Sequence, residues 1–338
     1  MNRREFLTTA AVVPAAALLA GRPGWAATVR LKWAVFTPDS ERTFVTVMKP
    51  YAATVEKDSG GAVAFDMFPN GALGRNPGQQ PQMVVDGVAD VGWMVPSYTP
   101  GRFPDTEVLE LPGLFRDIRE STIVAARMGA GDALHDYGDF HVVALFGTAP
   151  YSVHTNFPVK TVADLRDKKI RASSATESEA LRALGAVPVG MPVTAIPEAI
   201  GRHTIDGTTS HMSPFFDFGL DRVTNYHLMI HLGIVPLAIL MNKKKFDALP
   251  KEAQDAIVKN GGVALAGKFV DSIGPYNAGL LKRLQDDPKH HVIFPTEAEE
   301  AAVQAKLAPV RDAWVAKSPR HKELKTAVDA EIARYRKA

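Results

Sequence analysis

The alternation of apolar and polar side chains predicts how the first part of this sequence folds. Residues 29–34 alternate in the manner of a half-buried β-strand. Apolar side chains then recur at helical spacing over residues 43–56, and a short apolar run covers residues 63–68. Because strands that alternate with helices form parallel units, this order predicts the opening of an α/β domain.

The same patterning predicts further strands, helices and loops along the chain. The predicted strands are 88–94, 142–146, 205–207, 226–231 and 236–242. The predicted helices are 82–86, 119–137, 297–317 and 321–337, with a long helical region that ends near residue 285 and is interrupted at Gly261-Gly262, Gly274 and Pro275. The aromatic cluster at residues 212–218 is predicted to form a loop.

Residues 162–211 combine the features of a ligand site. A polar turn precedes a short predicted strand at residues 170–172, and small hydroxyl side chains that can cap a helix follow it. Arg171 therefore lies where a strand ends and a helix begins, which is the usual ligand crevice of open α/β sheets. A planar guanidinium can bind a carboxylate there through two parallel hydrogen bonds. The alternative is a surface arginine paired with Asp164 or Asp167.

Three motifs in this stretch resemble the solute-binding proteins of TRAP transporters (tripartite ATP-independent periplasmic transporters). The family pattern D-L-x-G-x-K-I-R corresponds to residues 164–171, G-A-x-P-V-x-M-P to residues 185–192, and G-x-x-D-G to residues 203–207. The usual glycine of the first motif is Asp167 here. The arginine that binds the substrate carboxylate in the family falls on Arg171. Further segments similar to the family extend the resemblance over nearly the whole chain.

The resemblance implies an α/β fold of the two-lobed periplasmic binding protein type. Each lobe would hold a mixed sheet flanked by helices, and crossing strands and a long helix would join the lobes. The lobes are expected to comprise residues 27–148 with 237–276, and residues 149–236 with 277–330. Such lobes can close around a ligand by hinge bending. The implied partners are the small and large permease proteins of a TRAP transporter in the membrane.

The overall composition agrees with a globular binding protein and excludes several other functions. The chain has 338 residues, of which 46% are hydrophobic and 22% are charged, and this length suffices for two domains. The formal net charge is +2, and the first 26 residues carry that excess. A neutral remainder argues against nucleic acid as a partner. The absence of cysteine excludes disulfides, thiolate metal sites and cysteine nucleophiles.

Residues 1–26 are predicted to be a twin-arginine signal peptide. Arg3 and Arg4 precede an apolar run at residues 10–20 that is too short to span a bilayer as a helix. Small residues suit cleavage near Ala26, with cleavage after Ala27 as an alternative. A second alternative is an N-terminal membrane anchor, which the short run disfavours. The mature protein is therefore expected in the periplasm without direct membrane insertion.

The sequence carries no catalytic or cofactor signature. Zinc-binding histidine motifs, Gly-x-Ser-x-Gly and Walker-type phosphate loops are all missing. No metal or cofactor is therefore expected. His154, His203 and His211 flank the predicted cleft, but none has an evident nucleophile beside it. An exported hydrolase or lyase that acts on a carboxylate is the alternative to a binding protein.

The candidate ligand-binding residues are one cation and the aromatic, hydroxyl and thioether side chains predicted around it. They are Arg171, Tyr151, Trp93, Phe36, Tyr98, Ser173, Met191, Ser210, His211 and Phe215. Family members that bind sugar acids or dicarboxylates often carry a second arginine where this chain has Tyr151. An apolar wall with one cation predicts a monocarboxylate with an aromatic or branched apolar body, such as an aromatic acid or a 2-oxo acid. Ser210 or His211 would bind its hydroxyl or keto oxygen. A sugar acid or dicarboxylate is the rival.

Overall fold

The computed structural model describes residues 28–131 and 133–337, and within them the chain forms two β-sheets flanked by helices. The strands are β1 (Val29–Val35), β2 (Val63–Phe68), β3 (Val91–Met94), β4 (Phe140–Gly147), β5 (Ser152–Thr155), β6 (Lys169–Ala172), β7 (Val187–Gly190), β8 (Gly207–Ser210), β9 (Tyr226–Leu228), β10 (Pro236–Asn242) and β11 (His291–Ile293). The helices are α1 (Lys49–Asp58), α2 (Gln80–Val85), α3 (Ile118–Ala130), α4 (Ala175–Ala183), α5 (Ile196–Gly201), α6 (Met212–Asp217), α7 (Lys243–Asp247), α8 (Lys251–Asn260), α9 (Gly262–Asp286), α10 (Glu297–Ala316) and α11 (Pro319–Lys337). The predicted two-lobed α/β fold is confirmed.

The first sheet has the strand order β2-β1-β3-β10-β4. β1 runs parallel to β2 and β3, as the opening pattern of the sequence predicts. β10 lies between β3 and β4 and is antiparallel to both. Every residue of β3 is buried, which accounts for its continuous apolar run in place of alternation. Because β1 and β3 are parallel neighbours, their carboxyl ends lie at the same edge of this sheet.

The second sheet has the order β11-β9-β5-β8-β6-β7. β6 is parallel to β7 and β8, whereas β5 is antiparallel to β8 and β9. Because β6 and β8 are parallel neighbours, their carboxyl ends lie side by side. That edge brings Arg171 near the residues that follow β8.

Two strand connections and one long helix join the lobes. The chain passes from the first sheet to the second between β4 and β5, and it returns between β9 and β10. The 25 residues of α9 extend for about 37 Å at 1.5 Å per residue. This helix packs against α3 and β4 of the first lobe and against α6 and β11 of the second. The predicted crossing strands and spanning helix are thus present.

A helix cap and a left-handed turn residue determine the local structure on either side of Arg171. The hydroxyl of Ser174 accepts a hydrogen bond from the Glu177 backbone N–H at 3.0 Å, so α4 begins directly after β6. Asp167, in the turn before β6, has a φ of 60°. This left-handed conformation suits glycine and is tolerated by aspartate better than by most residues. The departure from the family glycine is therefore compatible with the same turn.

Several predicted elements are corrected by the structure. Residues 212–218 were expected to form a loop, but most of them form α6, with the aromatic ring of Phe215 on its buried side. The strand predicted at 205–207 is wrong, because β8 begins only at Gly207. A Cβ at Gly207 would lie 2.6 Å from the backbone oxygen of His154 in the neighbouring strand. The glycine thus permits close strand pairing and does not end the strand.

The helices also differ from the predictions at their ends. α3 stops at Ala130, well before the expected end at residue 137, and the extended backbone of Gly131 follows it. The helix predicted over 43–56 begins with a π-helical turn at Phe44–Met48 and continues as α1. The predicted break at Gly261-Gly262 is present between α8 and α9, whereas Gly274 and Pro275 lie within α9.

Candidate ligand-binding site

A cavity of about 60 Å³ lies between the two sheets. Its walls come from the segments after β1 and β3 in the first lobe, from β6 and the end of β8 in the second lobe, and from α6 and α9. Phe269 and Ile273 of α9 and Leu237 of β10 form part of an apolar wall. The cavity therefore occupies the position where the carboxyl ends of strands from both sheets face each other.

Seven of the ten candidate residues line this cavity. They are Phe36, Trp93, Tyr98, Tyr151, Arg171, Ser210 and His211. All but Tyr98 are buried, and Tyr98 is partly buried. The structure thus brings together side chains from both lobes, and their contact with a ligand stays a prediction.

The other three candidates lie outside the cavity. The Ser173 hydroxyl and backbone N–H both donate to the Glu177 carboxylate, and Ser173 lines a neighbouring cavity together with Met191. Phe215 is fully buried beneath the site, with its ring 4.5 Å from that of His154. The structure therefore does not bring these three side chains together with Arg171 in the interlobe cavity, and their contact with a ligand stays a prediction.

Arg171 is held almost fully buried by three hydrogen bonds. Nε donates to the backbone oxygen of Met191 at 2.8 Å, Nη1 to that of Thr209 at 3.4 Å, and Nη2 to the hydroxyl of Tyr98 at 3.0 Å. The side chain is 1% exposed, so it is not the surface arginine of the alternative interpretation. Among the described residues, one N–H on Nη1 and one on Nη2 remain without an acceptor. These two donors are the pair that a bidentate carboxylate contact requires.

His211 presents a neutral imidazole to the cavity. Burial first, and then the neighbouring His154, lower its pKa from 6.5 to about 3. Its Nδ1 is buried and has no hydrogen-bond partner in the described part of the chain. The hydroxyl of Ser210, by contrast, donates to the backbone oxygen of His211 at 2.9 Å. His211 therefore has a free polar atom for a ligand, whereas the Ser210 proton is already engaged.

Behind the cavity, three histidines form a hydrogen-bonded chain. Nε2 of His154 lies 3.2 Å from the backbone oxygen of Ser210, and Nδ1 lies 2.9 Å from Nδ1 of His227. Nε2 of His227 lies 2.9 Å from Nδ1 of His290. Burial lowers the pKa of His154 to about 4 and that of His227 to about 2. These rings are uncharged at neutral pH and support the end of β8. His203, the third histidine of the predicted cleft, lies outside the cavity in an exposed turn with a φ of 56°.

Sequence patterns did not identify five polar residues of the cavity, namely Thr37, Glu41, Thr43, Ser213 and Asp217. Thr37 and Glu41 follow β1, and Asp217 ends α6. Their only local signals were a helix-cap pattern after β1 and an acidic residue inside an aromatic cluster. Burial first, and then the charge of Glu41, raise the pKa of Asp217 to about 7, while a hydrogen bond from Tyr276 acts in the opposite direction. Burial also raises the pKa of Glu41, and hydrogen bonds from Thr43 and Phe44 lower it by a smaller amount.

Within the described ranges, no group of histidine and acidic side chains is arranged to hold a metal ion. The same part of the chain contains no helix with the length and apolarity needed to cross a membrane. The predicted signal peptide lies outside the described residues.

The two-lobed fold and the interlobe cavity with its buried arginine define the class of solute-binding proteins. The sequence matches the model of the DctP family, bacterial extracellular solute-binding protein family 7, over residues 34–318, and the chain belongs to this family. The C4-dicarboxylate-binding periplasmic protein DctP of Rhodobacter capsulatus is 25% identical over 264 residues, which cover 76% of this chain and 78% of that protein. The family resemblance stated from the motifs is thereby confirmed.

Two solved TRAP solute-binding proteins share the fold closely. One, from Rhodoferax ferrireducens T118 in complex with copurified benzoate, is 30% identical with a TM-score of 0.87, covering 92% of this chain and 99% of that one. The other is a marine metagenome protein specific for aromatic acid ligands, in complex with 3-hydroxybenzoate. It is 28% identical with a TM-score of 0.87 and the same coverage of both chains.

Proposed function

We propose that this protein captures a small organic acid in the periplasm and delivers it to the membrane permease of a TRAP transporter. The favoured ligand is an aromatic or apolar monocarboxylate or a 2-oxo acid. One observation carries the proposal: among the described residues, the buried guanidinium of Arg171 has two N–H groups without an acceptor, and this side chain lines the interlobe cavity. A buried charge without a counter-ion is costly, so a carboxylate ligand would complete the site.

The charges of the cavity favour a monocarboxylate over a dicarboxylate. Among the described residues, Arg171 is the one cation that lines the cavity, and the other ionisable groups there include the acidic Glu41 and Asp217. A second ligand carboxylate would meet these acids in a medium of low dielectric constant, where like charges repel strongly. Tyr151 stands where a second arginine would bind the additional charge.

The apolar wall favours an aromatic or branched ligand body. Trp93, Phe36 and Phe269 contribute flat or bulky apolar surface, which suits an aromatic ring better than a hydroxyl-rich sugar acid. The solved relatives that carry benzoate and 3-hydroxybenzoate support this choice. The C4-dicarboxylate-binding relative keeps the dicarboxylate alternative open to test.

Ligand binding would be coupled to closure of the lobes. Tyr98 from the first lobe contacts Arg171 and Val193 of the second, so the carboxylate-binding cation is itself part of the interlobe contact. A ligand that binds the closed form more tightly shifts the population towards it. The permease would then recognise the closed form.

The proposal includes the lobe limits and the export route expected from the sequence. The lobes would be residues 27–148 with 237–276, and 149–236 with 277–330. A twin-arginine signal at residues 1–26 would direct the folded protein to the periplasm, and cleavage would occur near Ala26.

A binding screen tests the proposed function. Protein freed of bound ligand by unfolding and refolding is titrated by calorimetry with benzoate, 3-hydroxybenzoate, a branched 2-oxo acid, succinate and galacturonate. We expect tight binding among the first three and weak or absent binding of the last two. Tight binding of succinate or galacturonate alone would overturn the ligand class. Chemical change of a bound acid on incubation would instead support the enzyme alternative.

A further inference from the structure

We propose that Thr37, Glu41 and Asp217 form a donor subsite, which binds a hydroxyl or amino substituent on the body of the acid held by Arg171. The inference rests on the proposed function and deepens it. All three side chains line the same cavity as Arg171, and all three offer oxygen acceptors. The ligand would thus be a substituted aromatic acid whose substituent donates a hydrogen bond.

Unpaired buried oxygens support this assignment. Oγ1 of Thr37 is buried without a hydrogen-bond partner among the described residues, and the residue is 5% exposed. Oδ2 of Asp217 is likewise buried without a partner in that part of the chain, although a hydrogen bond from Tyr276 reaches the same carboxyl group. Buried polar atoms are normally paired, because an unpaired one loses its hydration without replacement. Two such atoms in one cavity indicate that a bound group supplies the missing donor.

Glu41 is positioned by the start of the following helix. Its two carboxylate oxygens accept the backbone N–H groups of Thr43 at 2.9 Å and of Phe44 at 2.8 Å. These bonds orient the buried carboxylate but leave lone pairs on both oxygens. Glu41 can therefore accept a further donor without moving.

The subsite is shared between the lobes. Thr37 and Glu41 follow β1 of the first sheet, whereas Asp217 belongs to α6, which follows β8 of the second. A substituent bonded on both sides would therefore favour the closed form, as the contact between Tyr98 and Arg171 does.

The charge of the subsite selects for donors. Two acids and a hydroxyl oxygen disfavour a carboxylate, and an apolar substituent would leave their oxygens unpaired. Burial first, and then the charge of Glu41, raise the pKa of Asp217 to about 7, so its carboxylate accepts such a donor best in solution above that pH. A methyl substituent occupies nearly the same space as a hydroxyl but cannot donate a hydrogen bond. A comparison of the two ligands therefore distinguishes the effect of hydrogen bonding from the effect of size.

The experiment compares matched ligands on the intact mature protein. Affinities are measured by calorimetry for benzoate, for its ortho, meta and para hydroxy and amino derivatives, and for the three methyl derivatives. Each ligand is tested on the unaltered protein and on Thr37→Val and Asp217→Ala. Asp39→Ala is the control, because Asp39 is an exposed acid on the same loop outside the cavity. Circular dichroism and melting curves verify that each variant folds.

At about pH 8, where the Asp217 carboxylate is mostly ionised, we expect at least one hydroxy or amino isomer to bind about tenfold more tightly than its methyl counterpart, as one buried hydrogen bond predicts. That ratio should fall towards one in Thr37→Val and in Asp217→Ala and persist in Asp39→Ala. If benzoate binds but no donor isomer is preferred, or if the preference survives in both variants, the donor subsite is refuted and the proposed function stands. If no aromatic acid binds at all, the proposed ligand class itself fails.

Discussion

The hydroxyl of Tyr98 accepts a hydrogen bond from Nη2 of Arg171 at 3.0 Å, across the cleft between the two lobes. The same hydroxyl accepts the backbone N–H of Val193 at 3.1 Å. The Arg171 guanidinium also lies 5.8 Å from the centre of the Tyr98 ring. The cation proposed to bind the ligand is thus also part of the contact between the lobes.

Replacing Arg171 should abolish tight binding. Arg171→Ala removes one partner of a buried charge-assisted pair, which costs about 2–5 kcal/mol, so affinity should fall by more than tenfold. Arg171→Lys should also bind weakly, because an ammonium lacks the planar pair of donors. Arg202→Ala, at an exposed residue directly after α5, serves as the control. Unchanged affinity of Arg171→Ala in calorimetry would exclude the assigned role.

Removing the Tyr98 hydroxyl should weaken closure. Tyr98→Phe keeps the ring but loses both hydrogen bonds to the second lobe, so the open form should become more populated. We expect a loss of affinity of about tenfold and a larger radius of gyration of the ligand-free protein in X-ray scattering. Tyr226→Phe, in β9 and outside the cavity, should change neither. A Tyr98→Phe protein with unaltered scattering and affinity would contradict this account.

Asp217 should make the ligand-free protein less stable as pH rises. Burial raises its pKa from 3.8 to about 7, so the folded form holds this proton more tightly than the unfolded form. Its contribution to the free energy of unfolding is therefore most favourable below about pH 4, decreases up to about pH 7 and is constant above. Asp217→Asn should remove this contribution and so reduce the dependence of stability on pH in denaturant titrations.

Other ionisable groups near Asp217 also contribute to the pH dependence of the free energy of unfolding. Glu41, Tyr276, Arg42 and Arg283 are the ionisable groups of this region, and Glu41 has a pKa shifted in the same direction. The slope should therefore decrease in Asp217→Asn and decrease further when Glu41→Gln is added, while the buried Glu110, whose pKa is raised to about 8, maintains part of it. Identical slopes in the unaltered and doubly substituted proteins would refute the prediction.

His154 and His227 should stay neutral in mildly acidic solution. Burial lowers their pKa values to about 4 and about 2, whereas hydrogen bonding to Glu300 raises the pKa of His231. Nitrogen chemical shifts of the rings should show His231 protonated at pH 5 while the other two are uncharged. Because the unfolded chain binds these protons below about pH 6.5, the pair should lower stability as pH falls from there towards 4. Titration of both rings near pH 6.5 would contradict the buried arrangement.

Export should depend on the paired arginines near the start of the chain. Replacing Arg3 and Arg4 with lysine should leave the precursor in the cytoplasm, because the twin-arginine pathway requires that pair. Arg22→Lys, close to the expected cleavage site, is the control. Normal recovery of mature protein from the periplasm after the double replacement would exclude this route.

Local patterns in the sequence predicted the α/β opening of the first lobe and the strand-to-helix position of Arg171, whereas the two-lobed fold was predicted from the family resemblance of the motifs. Strand periodicity located β1, β2 and β10 closely, because these strands have clear apolar runs bounded by turns. It failed at α6 and β8, where the short elements are stabilised by packing against the other parts of the second lobe. The predicted C-terminal end of α3 was also wrong, because it depends on neighbours that local propensity does not describe, whereas the end of α9 was predicted to within one residue.

The sequence by itself determined that Arg171 lies between a strand and a helix cap, and the family resemblance of the surrounding motifs predicted this side chain as the positive charge of the site. Only the tertiary structure decided what surrounds it. Thr37, Glu41 and Asp217 share one cavity because lobe closure brings segments from both sheets together, and α9 adds its wall from a distant part of the chain. Such contacts arise from packing between elements remote in sequence, so no local pattern of residues encodes them.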